Sequence, residues 1–157
     1  MLVSVTQEVA CSPAALFACV DDLSRYPSWL SIAHRVEAAS PCDGEPGPAW
    51  VVELRARIGP LARSKRLRMV RSEFVGGERV VLERKELDHR RHAGWRLRSR
   101  VEPTAAGSTL TMQLEYDGAF WGPVLDRVLR DEIERSRPRL VAQARRNDGI
   151  NDDGPTR

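Results

Sequence analysis

The sequence is poor in the residues that usually announce chemistry. It holds three cysteines, Cys11, Cys19 and Cys42, with no C-x-x-C spacing. An odd, scattered set argues against a disulfide framework and fits reduced thiols in a cytosolic protein. Cys11 and Cys19 flank or lie in a short helix and read as small buried hydrophobes. Cys42 sits in a loop with no activating base nearby in the sequence. There are also only three histidines. His89 and His92 form an H-x-x-H, but it spans a turn, encloses two arginines and lacks a third ligand, so no metal is expected. No G-x-S-x-G, phosphate loop or dinucleotide fingerprint occurs, so no cofactor is implied. No apolar run approaches a membrane span. Met1 is followed by alternating Val3 and Val5 rather than a basic segment and apolar run, so no signal peptide is expected and a cytoplasmic location is. A formal charge of +3 and a pI near 9.0 are too weak to argue for nucleic acid.

What the chain does have is hydrophobic periodicity. Its 157 residues, 41% hydrophobic and 30% charged, suit one globular domain with a real core. The expected division is a domain over 1–147 and a polar, Gly/Pro-punctuated tail over 148–157. From Pro123 to about Asn147, Val124, Leu125, Val128, Leu129, Ile133 and Leu140 recur at helical spacing. The Asp126–Arg130 and Asp131–Arg135 pairs support the wet face. Gly122-Pro123 suits the helix start. Pro138 cannot donate to the carbonyl of Glu134. The spacing therefore predicts a kink between Glu134 and Pro138 that carries Leu140 and Val141 onto a sheet. The alternative is one helix stopping at Ser136 and a second starting at Pro138.

Ahead of that helix the pattern is strand-like. Leu2 to Val9 alternates apolar and polar. Ser12-Pro13 caps a short helix with Leu16, Phe17 and Val20 on its buried face. Residues 21–29 make a second helical turn. Ile32, His34 and Val36 share one face of the next strand, and Ser40 to Pro48 is a loop. Trp50, Val52, Leu54, Ala56 and Ile58 alternate with Val51, Glu53, Arg55 and Arg57. Strands follow over 62–74, 79–86, 95–101 and 110–116, separated by short turns. Short turns join antiparallel neighbours. The result is an α+β chain: a curved antiparallel sheet of about seven strands, apolar on one face, wrapped on the C-terminal helix.

Two local segments sharpen this. Ala10-Cys11-Ser12-Pro13-Ala14-Ala15-Leu16-Phe17 resembles the start of the first helix in the START/Bet v 1-like (SRPBCC) superfamily. Asp21-Asp22-Leu23-Ser24-Arg25-Tyr26-Pro27-Ser28-Trp29 is similar to that superfamily's D-x-x-x-y-P-x-W segment. The resemblance spans about residues 1–145 and is strongest to bacterial polyketide cyclase/dehydrase-type proteins. It implies a helix-grip fold with two short helices after the first strand. It also implies a cavity between sheet and helix for a lipid- or polyketide-like hydrophobic molecule. It carries no universal catalytic set, so no catalytic residue is assigned.

The expected ligand-binding residues follow from the concave face. From the central strands these are Trp50, Val52, Leu54, Leu67, Met69 and Leu82. From the later strands they are Trp95, Leu97, Met112 and Leu114, and from the helix Leu125 and Leu129. Four polar residues share or border those faces: His34, Arg84, Tyr116 and Glu132. Apolar pockets with a few placed polar groups are how small-molecule sites are built. Arg84 and Glu132 would alternatively form a partly buried ion pair. Trp121 is expected near a cavity mouth. The ranked readings are a binding module for a hydrophobic small molecule, then a cyclase or dehydratase using His34, Arg84 or Tyr116. The third is an interaction protein using an outer face that gathers Arg55, Arg57, Arg66, Arg68, Arg96, Arg98 and Arg100. That face lacks base-stacking aromatics, which counts against nucleic acid. The sequence leaves the oligomeric state open.

Overall fold

The computed structural model describes residues 1–118 and 122–149. Strand β1 (Leu2–Val9) is followed by helix α1 (Pro13–Phe17) and a 3-10 turn (Leu23–Ser28). Then come β2 (Ala33–Ala39), β3 (Ala49–Ile58), β4 (Leu61–Val75), β5 (Arg79–Arg84), β6 (Trp95–Thr104), β7 (Gly107–Tyr116) and α2 (Gly122–Asn147). All strand pairs are antiparallel, and the sheet order is β1-β7-β6-β5-β4-β3-β2. Sequential antiparallel pairing makes β2 to β7 a meander. β1 returns beside β7, so β1 and β2 are the two edges, joined through α1 and the 3-10 turn. This is the expected helix-grip arrangement.

Register decides which residues share a face. Val3 opposes Leu114, Val5 opposes Met112, Leu97 opposes Leu114 and Leu82, and Val52 opposes Leu67. Directly opposed side chains point the same way, so these apolar pairs define the concave face. Glu53–Arg66, Glu83–Arg96 and Arg98–Gln113 define the convex one. Two irregularities interrupt the alternation. In β2 the register shifts between Ala33 and Arg35, and in β4 between Arg71 and Glu73.

The short elements close one end of the concave side. Ser12 caps α1 by accepting from the N–H of Ala15 at 3.2 Å, and Asp22 accepts from the N–H of Ser24 at 2.8 Å to start the 3-10 turn. Leu16, Phe17, Cys19 and Val20 are buried, and α1 packs on β6, β7 and α2. The Tyr26 hydroxyl donates to the carbonyl of Val20 (3.1 Å), and the Trp29 indole N–H donates to the carbonyl of Cys19 (2.9 Å). Both aromatic residues are thereby buried with their polar atoms satisfied.

Helix α2 runs continuously through Pro138, so the two-helix alternative does not occur. Pro138 itself is exposed. Leu129, Leu140 and Ala144 are buried. The buried Ser136 hydroxyl donates to the carbonyl of Glu132 at 2.7 Å. Asp126 pairs with Arg130 (3.0 Å) as expected, but Arg135 turns to Glu132 (2.8 Å) rather than Asp131. Arg137 ties α2 to β1 by donating to the carbonyl of Thr6 (2.8 Å) and to Gln7 Oε1 (2.9 Å).

Candidate functional site

Between the concave face and α2 lies a cavity of about 130 Å³. Its walls are almost wholly apolar. β3 and β4 contribute Val52, Leu54, Leu67 and Met69, and β6 and β7 contribute Trp95, Leu97, Leu110, Met112 and Leu114. Val3 and Val5 come from β1, and Leu129, Ile133 and Leu140 from α2. Three of the polar wall residues are tied back to protein. Tyr26 and Trp29 donate to backbone carbonyls, and Arg137 bonds to β1 and to Glu134. A comparable engineered cavity of about 150 Å³, lined by leucine, isoleucine and phenylalanine, stays dry and accepts benzene. This space therefore suits a small ring or a short chain rather than water.

Of the residues expected at the site, Val52, Leu54, Leu67, Met69, Trp95, Leu97, Met112, Leu114 and Leu129 line the cavity. Trp50, Leu82 and Leu125 do not. Trp50 and Leu82 are fully in the core, and the partly buried Leu125 packs against the buried cluster of Val3, Ile32 and Leu129. His34 is exposed. Ala33 opposes Leu54 and Val36 opposes Val52, so one extra residue lies between two inward positions and His34 leaves the face of Ile32. Arg84 shares the face of Met69 but is bound to Glu86 (2.7 Å), the carbonyl of Ala93 (3.2 Å) and His92 Nδ1 (3.2 Å). Glu132 accepts instead from the Ser31 hydroxyl at 2.8 Å and pairs with Arg135. The expected Arg84–Glu132 pair is therefore absent. Tyr116 packs edge-on against Trp95 with ring centroids 5.2 Å apart. His34, Arg84 and Tyr116 do not converge on one point. Trp121 lies outside the described residues.

The sequence reading missed Val3 and Val5 on β1 and Tyr26, Trp29, Ile32 and Ala33, all of which line the cavity. The alternation of β1 was visible. Its pairing with β7, which turns Val3 and Val5 onto the same wall as Met112, was not.

The other reactive groups are quiet. Burial pushes the Cys19 thiol up to about 12 and the Cys11 thiol upward as well, the opposite of an activated thiolate. Cys42 is exposed. His92 Nε2 lies 2.8 Å from Asp88, and among the described residues no group of three or more His, Cys, Asp or Glu could hold a metal.

On the convex face the arginines do stand on neighbouring strands, but carboxylates are interleaved. Arg55 pairs with Glu53, Arg68 with Glu45, Arg96 with Glu83, Arg98 with Glu115 and Arg100 with Glu102. The expected basic patch is largely neutralised.

A family model described as polyketide cyclase / dehydrase and lipid transport matches residues 2–145. No curated protein matches the chain. Among solved structures, a START superfamily protein from Mycobacterium smegmatis has a TM-score of 0.68 at 19% identity, covering 92% of this chain and 97% of that one. A protein from Chromobacterium violaceum has a TM-score of 0.65 at 15% identity, covering 91% and 96%. Ara h 8.0201 has a TM-score of 0.61 at 14% identity, covering 94% and 97%. At these identities the structures speak for the fold. With the family match over nearly the whole described chain, they establish that this protein belongs to the polyketide cyclase / dehydrase and lipid transport family, on the START/Bet v 1-like helix-grip fold.

Proposed function

We propose that this protein binds a hydrophobic small molecule, lipid- or polyketide-like, in the cavity between the sheet and α2. The observation that carries this reading is the cavity wall itself. Its leucines, valines and methionines offer a water-poor space, and its polar side chains are largely satisfied elsewhere in the protein. Transferring an apolar molecule from water into such a space is favourable by roughly 25 cal/mol for each Å² of apolar surface removed from water. Family membership supports the same reading. A cyclase or dehydratase would need an acid and a base within hydrogen-bond reach of one substrate, and no pair on the cavity wall favours that alternative.

The test is a titration with the neutral apolar probes p-xylene and 1-octanol, followed by amide and methyl NMR. Saturable shifts confined to the cavity residues, lost in the cavity-filling variant Leu97→Trp, are the expected result. Absence of saturable shifts with either probe would overturn the reading. Circular dichroism of the variant controls for the roughly 1–3 kcal/mol that overpacking costs.

A further inference from the structure

One residue of the cavity wall carries an unsatisfied polar atom. Trp95 lines the cavity, is 6% exposed, and its indole N–H has no hydrogen-bond partner among the described residues. A buried donor left in that state is costly unless something accepts from it. Over the same ring stands a cation. Lys65 Nζ lies 5.5 Å from the Trp95 ring centroid and 5.7 Å from that of Tyr116. Lys65 belongs to the concave side, because it opposes Leu54 across the β3–β4 pair and Leu54 lines the cavity. Strand β5 stops at Arg84, and beyond that point the Lys65 side chain can reach across to β6 and β7.

The charges around it are unequally shared. Arg84 is matched by Glu86 at 2.7 Å. Lys65 has no carboxylate within ion-pair distance among the described residues; it stands over two aromatic faces, with Arg84 and Glu86 farther off. Desolvation first, and then the Arg84 charge, push the Lys65 ammonium below its ordinary value against a smaller opposing pull from the Glu86 carboxylate, and an anion placed beside it would relieve both effects.

We propose that the cavity takes an amphiphile with a carboxylate head, its oxygens held by Lys65 Nζ and the Trp95 indole N–H and its apolar body running inward toward Leu110 and Leu140. This rests on the hydrophobic-binding reading above and adds the ligand's polarity and orientation. Both donors belong to one patch, since one is part of the indole ring and the other is stacked on it. A carboxylate, acceptor-only with two oxygens, can serve both.

Three probes of equal chain length separate the ideas: octanoate, 1-octanol and octylamine, titrated at pH 7 by calorimetry and NMR. Octanoate should bind on the order of tenfold tighter than octanol, the size of one charge-assisted hydrogen bond, and octylamine weakest. Lys65 is exposed, so Lys65→Gln should fold normally, and in it the octanoate-to-octanol affinity ratio should fall to about one. Trp95→Phe, which keeps a ring under the cation but removes the N–H, should lower the ratio while leaving it above one. Octanol binding without octanoate preference, or a preference that survives Lys65→Gln, would overturn this inference and leave the hydrophobic-binding reading standing. Binding of none of the three would overturn both.

Discussion

The guanidinium of Arg68 and the carboxylate of Glu45 meet at 2.7 Å although one belongs to a central strand and the other to the loop that precedes β3. Arg68 is 6% exposed and also donates to the carbonyls of Ser40 and Lys85. The arginine that the sequence assigns to an open basic face is therefore a clamp for the loop over residues 40–48. Hydrogen bonds from Arg68 and from the N–H of Cys42 hold the Glu45 carboxyl at about 2, well below its ordinary 4.5.

That depression fixes a pH dependence. Above the ordinary carboxylate range both folded and unfolded chains are ionised at Glu45, and its contribution to stability is complete. It is lost as the pH falls from about 4.5 through about 2, where the folded protein must take up the proton. Glu45→Gln should flatten the stability profile in that window while lowering stability at pH 7. Urea midpoints measured from pH 7 to pH 2 check this. Parallel profiles for the two proteins would mean that the clamp is electrostatically silent.

Gly107 opens β7 with φ +149°, and a Cβ there would run into the carbonyl of Val9 and the backbone of Cys11. Gly107→Ala should therefore destabilise by about 1–3 kcal/mol, the usual cost of a strained backbone position. At Gly76 the nearest atoms to an added Cβ are 3.7 Å away on Phe74. Gly76→Ala should stay within about 0.5 kcal/mol. Denaturant midpoints of the pair make the comparison.

Leu129 is the α2 residue that meets Val3 and Ile32 across the cavity. Leu129→Ala should cost about 2–5 kcal/mol, because the removed side chain leaves space that the sheet cannot fully collapse into. An apolar probe such as p-xylene should restore part of that loss, by about 2.7 kcal/mol at a hundred times its dissociation constant. Thermal melts with and without p-xylene provide the measurement. Equal shifts in wild type and variant would show that the enlarged space is not the site occupied.

Pro138 lies inside the continuous α2 and is exposed. An interior proline costs about 3 kcal/mol relative to alanine. Pro138→Ala should raise the urea midpoint, or leave it near unchanged where a bend at Glu134 helps to seat Leu140 against the sheet. A lowered midpoint would show that the packing of Leu140 depends on the proline.

The interleaved carboxylates of the convex face give a last expectation. With Arg96, Arg98 and Arg100 each paired to a glutamate, retention on a heparin or RNA matrix should vanish at physiological salt, since weak residual fields are screened within about 8 Å. Retention persisting above that salt would restore the interaction reading.

The elements and their order follow from local sequence alone. Period-2 and period-3.6 apolar spacing, Ser12-Pro13 at a helix start and glycine-rich turns are local signals, written within a few residues of where they act. The apolar stripe of α2 and the inward positions of β3, β6 and β7 were legible for the same reason, and most of them line the cavity. Tertiary structure decided the rest. One extra residue in β2 sends His34 to solvent, a slip that alternation cannot foresee because it depends on the partner strand. Pairing of β1 with β7, far apart in sequence, brings Val3 and Val5 to the wall. The partners of Arg68, Arg84 and Glu132 were likewise decided by which carboxylates, hydroxyls and carbonyls the fold delivers within hydrogen-bond reach. So was the meeting of Lys65 with Trp95, which depends on where β5 ends. Hydrophobic pattern is a property of neighbours along the chain; charge pairing and site geometry are properties of neighbours in space.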